Sequence, residues 1–167
     1  MALTRLGATN ITNSTIANVT ALPAGLTNAG KVLQAVTATD STQRSTTSTG
    51  FTLGGSTLTV DITPSSTSSK VYVVCTFTGY PNNTSSNAYF TIYRDATHLG
   101  TGSGGFITTW SETGRVIGNP MAISVLDSPS STSTLTYQMR WAADTGGTTY
   151  LTYDGSKSVI TAFEIAG

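Results

Sequence analysis

In the stretch Val71-Tyr72-Val73-Val74-Cys75-Thr76-Phe77, apolar side chains stand at every second position, Val71, Val73, Cys75 and Phe77, and this period matches the pleat of a β-strand rather than a helix. The pattern recurs along the chain. Leu58, Val60 and Ile62 alternate within 56–63, Phe90 and Ile92 within 88–94, and Leu135, Tyr137, Met139 and Trp141 alternate with Thr136, Gln138 and Arg140. Further strand-sized runs lie at 31–39, 46–53, 106–110, 120–126, 148–153 and 158–165. Turn clusters separate them, among them Pro64-Ser65-Ser66-Thr67-Ser68-Ser69 and Asp144-Thr145-Gly146-Gly147. Short strands at such intervals predict an all-β chain, a two-sheet antiparallel jelly-roll sandwich rather than a βαβ fold. An immunoglobulin-like sandwich of the antibody type would need a Cys and Trp spacing that is absent.

The polar positions between the apolar ones are mostly hydroxyls. Of 167 residues, 34 are Thr and 20 are Ser, whereas charged residues make up 10% and sum to a net charge of zero. Threonine is β-branched and fits the pleated surface, so the composition supports the same class. A chain so sparsely charged has no basic surface for nucleic acid, no acidic tail and no basic membrane-surface helix. No apolar run reaches the roughly 18 residues of a membrane span, and the N-terminus lacks the continuous apolar segment of a secretory signal. Neither nucleic acid nor membrane insertion is expected.

Two features point outside the core. The strand at 70–78 carries Tyr72 and Val74 on its second face, and the strand at 88–94 carries Tyr89 and Tyr93 there. These four residues predict a subunit interface, because monomers rarely leave large contiguous apolar patches exposed. Residues 1–29 differ from the rest, scattering Ile11, Ile16, Val19, Leu22 and Leu26 through Asn and Thr. That segment reads as an extended N-terminal arm that anchors to another protein, with residues 30–167 forming the jelly-roll domain.

Catalytic chemistry has little to work with. His98 is the only histidine and lies in a turn with no nucleophile beside it. The eight carboxylates are dispersed, and Asp127, Asp144 and Asp154 fall at turns, where Asp bonds its own backbone. Cys75, the single cysteine, sits in the strongest strand as a small core residue. Gly100-Thr101-Gly102-Ser103-Gly104-Gly105 leads into a β run, not the helix a phosphate-binding loop requires, and reads as a mobile surface loop. No enzyme activity, cofactor or metal site is expected. Tyr80, Asn82, Asn83 and Trp110 are the candidate exposed-loop contacts, although aromatic residues at strand ends more often belong to the core or its rim.

Gly30-Lys31-Val32-Leu33-Gln34, Ile62-Thr63-Pro64-Ser65-Ser66-Thr67-Ser68-Ser69-Lys70-Val71, Phe90-Thr91-Ile92-Tyr93-Arg94-Asp95, Leu126-Asp127-Ser128-Pro129 and Ile160-Thr161-Ala162-Phe163-Glu164-Ile165 together resemble a β-domain of tail-fibre and other virion proteins of tailed phages, cyanophages especially. The resemblance implies a jelly roll similar to trimeric C1q- and TNF-like heads, displayed on the virion and without catalytic activity. On that footing the expected function is a homotrimeric short tail-fibre or receptor-binding head for host attachment. Its arm would bind another virion protein, and its loops would meet a host surface glycan or protein. Capsid decoration, as a cement protein, and a lectin-like glycan-binding module are the alternatives.

Overall fold

A computed structural model describes residues 29–83, 85–111 and 118–167. The arm residues Ile11, Ile16, Val19, Leu22 and Leu26 lie outside them. Among the described residues eleven strands follow in order: β1 (Val32–Asp40), β2 (Arg44–Thr46), β3 (Thr59–Ile62), β4 (Lys70–Pro81), β5 (Ser86–Arg94), β6 (Thr97–His98), β7 (Ile107–Ser111), β8 (Asn119–Asp127), β9 (Leu135–Ala143), β10 (Thr149–Leu151) and β11 (Ser158–Ile165).

The first sheet runs β1-β11-β4-β8, all antiparallel, with β10 continuing along the β11 edge of β4 and β2 pairing β10. The second runs β3-β9-β5-β7, with the short β6 on the β7 edge of β5. The chain changes sheet from β2 to β3, β3 to β4, β4 to β5, β7 to β8, β8 to β9 and β9 to β10. That interleaving is the jelly roll expected from the strand spacing.

The inward positions read from the two-residue period form the core. Leu58, Ile62, Val71, Val73, Cys75, Phe90, Ile92, Tyr137, Met139 and Trp141 are buried between the sheets with Phe77 and Ile160. Phe77 of the first sheet meets Phe90 of the second at 5.0 Å between ring centroids. Each such side chain contributes about 1.5–3 kcal/mol on leaving water.

Two local readings change. The run at 46–53 is not a continuous strand: β2 ends at Thr46, and only Thr52 pairs again, with Trp141. Hydroxyls divert the backbone there, since Thr46 Oγ1 accepts from Ser48 N and Ser48 Oγ from Gly50 N. The glycine loop stays at the surface, with Thr101, Gly102 and Ser103 exposed, and is fastened at Gly105, which bridges both Phe90 and Thr101 and where a side chain would meet the Phe90 carbonyl at 2.6 Å. The loop expected to carry Tyr80, Asn82 and Asn83 shrinks, because β4 extends through Pro81 and β5 begins at Ser86.

The sandwich has two ends. At the base, residues 29–31 lead into β1 beside the end of β11, Gly30 N donating to Ala166 O at 2.7 Å and Ala166 N to Lys31 O at 2.8 Å. At the opposite end, the tip, β4 passes into β5, β7 ends, and β9 turns into β10.

Candidate functional site

The outer face of the first sheet is largely apolar. Register places Ala35, Phe163, Tyr72 and Leu126 in one row across its four strands. Tyr72 and Phe163 stack with centroids 6.4 Å apart, and Val32 and Leu33 extend the patch at the base. Leu126 is 54% exposed and Val32 58%. The next rows bring Thr37, Thr161, Val74 and Ser124, then Thr39, Val159, Thr76 and Ala122. Lys70 is the one charged residue at the outward positions of these four strands. Thr76, Thr78, Pro120, Ala122 and Lys157 border an open hollow of about 390 Å³.

Of the four residues expected at a subunit interface, Tyr72 and Val74 belong to this face. Tyr89 and Tyr93 lie on the outer side of the other sheet, so the two pairs point in opposite directions. Tyr93 moreover has its cover within the chain: the Arg140 guanidinium sits 4.3 Å above its ring, and His98 stacks on it at 5.0 Å. The loop containing Phe51 supplies this cover too, with Phe51 packed 5.0 Å from His98.

Tyr80 corrects a further expectation. It is buried rather than exposed, because β4 carries it into the sheet, where it stacks flat on Tyr150 at 5.0 Å and meets the edge of Tyr153 at 5.0 Å. The other three loop candidates do gather at the tip. Trp110 is 62% exposed, the most open of the large apolar side chains among the described residues. Asn82 and Asn83 are exposed, but Asn83 serves the scaffold, its Nδ2 donating to Gly146 O at 2.8 Å while its carbonyl accepts from Ser111 Oγ.

Beside Trp110, two residues not singled out as contacts complete a row. Trp110 pairs Asn87 across the β7–β5 ladder, and Asn87 Nδ2 donates to Asp144 Oδ2 at 2.9 Å. Asp144 N in turn donates to Asn87 O at 3.1 Å. The Asn87 amide and the Thr145 N–H hold the Asp144 carboxyl below its usual range. Tyr89 and Thr108 form the next row on the same face. Asp144 was visible in the sequence as a turn former; nothing local marked Asn87.

The remaining polar groups are structural. Glu164 is buried at the base, its carboxylate accepting from Gln34 Nε2, Ser65 N, Ser65 Oγ and Ser69 Oγ at 2.6–2.7 Å. Burial alone would raise its pKa, but these donors outweigh it and bring the value down to about 2. Asp127 of β8 joins Arg94 of β5 at 2.6 Å and accepts from the Tyr137 hydroxyl at 2.7 Å, tying the sheets together near the base. His98 Nε2 bonds Thr91 Oγ1 at 2.7 Å, and burial lowers its pKa, so the imidazole is spent on packing. Among the described residues no three His, Cys, Asp or Glu side chains cluster as metal ligands, and no helix is long and apolar enough to cross a membrane.

No protein-family model and no curated protein matches the chain. Among solved structures it is similar to the VP2 subviral particle of infectious bursal disease virus, with TM-score 0.31, 18% identity, and coverage of 80% of this chain and 38% of that one. The T=1 particles derived from the same virus give TM-score 0.33 and 15% identity. The chain therefore spans well under half the length of these proteins. Its assignment as a jelly roll rests on its own strand order.

Proposed function

We propose that the protein is a non-enzymatic structural component of a virion, a homotrimer that forms the head of a short tail fibre. The observation that carries this reading is the apolar outer face of the first sheet, from Val32 and Leu33 through Phe163 and Tyr72 to Leu126. Monomers rarely expose such a patch, and packing around a three-fold axis removes it from water. The sequence resemblance to virion β-domains with trimeric heads supports the same assembly. The geometry suits an anchored head as well: the chain joins the sandwich at the base, and the loops bearing Trp110 and Asp144 stand at the tip.

In this reading Tyr72 and Val74 lie in the subunit interface, and residues 1–29 hold the head to another virion protein. Sedimentation should give about three times the 17.3 kDa chain mass, and a monomer would refute the assembly. Antibody labelling of particles in the electron microscope should mark the tail. Label spread over the capsid would replace the fibre role with decoration. Deleting residues 2–29 should leave particles without the protein.

A further inference from the structure

We propose that the tip of the second sheet is a binding site for a neutral pyranose sugar, with Trp110 as the stacking platform and Asp144 and Asn87 as the hydroxyl-binding pair. The inference rests on the receptor-binding form of the reading above and gives that site its ligand class.

Trp110, Asn87 and Asp144 stand side by side on one face, with neighbouring Cβ atoms about 5 Å apart, and Tyr89 lies diagonally from Trp110 at about 7–8 Å. The indole is open to solvent, and the apolar C–H face of a sugar ring is its natural complement. The carboxylate beside it is oriented before any ligand arrives. Asn87 holds Oδ2 at 2.9 Å and Thr145 N holds Oδ1 at 2.9 Å, which leaves further lone pairs on both oxygens to accept hydroxyls. Asn87 Oδ1 adds another acceptor. Two adjacent hydroxyls of one ring match this pair.

Hydrogen bonds also tie the support of this site together. Asn82 N bonds Thr148 O at 2.8 Å, Asn83 Nδ2 bonds Gly146 O, Gly147 N bonds Asp144 O at 2.9 Å, and Ser85 N bonds Ser111 O at 3.0 Å. These bonds join residues 82, 83 and 85 to the 144–148 loop and to the end of β7, and binding to groups already held in this way costs less ordering. Asp144 is the charged member of the group, and its negative sign disfavours sialic and uronic acids. The face also points away from the apolar sheet that the trimer would cover, so assembly leaves it open.

The test uses the full chain, a panel of neutral and sialylated oligosaccharides on a glycan array, and methyl pyranosides at millimolar concentration followed by saturation-transfer NMR and tryptophan emission. Trp141 is fully buried, so a ligand-dependent change in emission reports Trp110. Neutral sugars should bind and shift the emission. Trp110→Ala should weaken binding at least about tenfold, Trp110→Phe should retain most of it, and Asp144→Asn should weaken it several-fold. All three should keep the sedimentation coefficient of the parent. Absence of binding by every neutral sugar, a preference for sialylated ones, or undiminished binding by Trp110→Ala overturns the proposal. Dissociation of the oligomer by Trp110→Ala also overturns it, because Trp110 would then be a subunit contact. A monomer that still binds neutral sugars sinks the trimer and leaves this site standing.

Discussion

Gly54 shows how one position can hold a corner of the core. Its φ is +51°, and a methyl group there would meet the Trp141 ring at 2.5 Å. Gly54→Ala should therefore destabilise the protein by about 2–3 kcal/mol in chemical denaturation, from left-handed strain and displacement of a buried indole. Glu164 governs a pH effect. Its pKa is depressed from 4.5 to about 2, so its contribution is complete above pH 4.5 and is lost as pH falls from there toward 2. Thermal unfolding followed over that window should lose stability in the parent, and Glu164→Gln should flatten the slope while lowering stability at neutral pH by about 2–3 kcal/mol. Cys75 is fully buried, and desolvation pushes its thiol up to about 12, so thiol reagents should label it only at the rate of unfolding.

At the scale of elements, the two-residue period located the long strands closely. The last, at 158–165, agrees at both ends, and β4, β8 and β9 differ only by extension. Of the short elements, β10 lies within the expected run 148–153, whereas β2 and β6, with three and two residues, hold too few for a period to register. They exist because a longer neighbour offers an open edge, as β5 does to β6. The link between β5 and β8 makes a prediction of its own. Arg94 and Asp127 are mostly buried, with 22% and 11% of their side chains exposed, so Arg94→Ala should cost about 2 kcal/mol by leaving Asp127 with only the Tyr137 hydroxyl. Arg94→Ala with Asp127→Asn should recover part of that loss in a double-mutant cycle.

For the whole molecule, the asymmetry between faces organises the proposed assembly. One sheet turns a nearly uncharged apolar surface outward, while the other covers Tyr93 with Phe51, His98 and Arg140 and exposes polar groups and Trp110 at the tip. Leu126→Lys tests the first face directly. Because Leu126 projects into solvent in the single chain, the variant should fold with an unchanged unfolding midpoint for the monomer. It should also sediment as a monomer where the parent sediments as a trimer.

Strand period, all-β class and the inward residues from Leu58 to Trp141 were determined by the sequence alone, because alternation is local and a one-residue slip would turn every apolar side chain to the wrong face. Tertiary structure alone decided what lies beside what. Tyr80, placed in a loop by its neighbours Pro81 and Asn82, is buried because β10 brings Tyr150 against it. Glu164 is satisfied by serines up to 99 residues away, and Asp144 meets Asn87 across 57 residues. Such pairings depend on long-range register between strands, which no local periodicity encodes, and both the apolar face and the Trp110 row follow from that register.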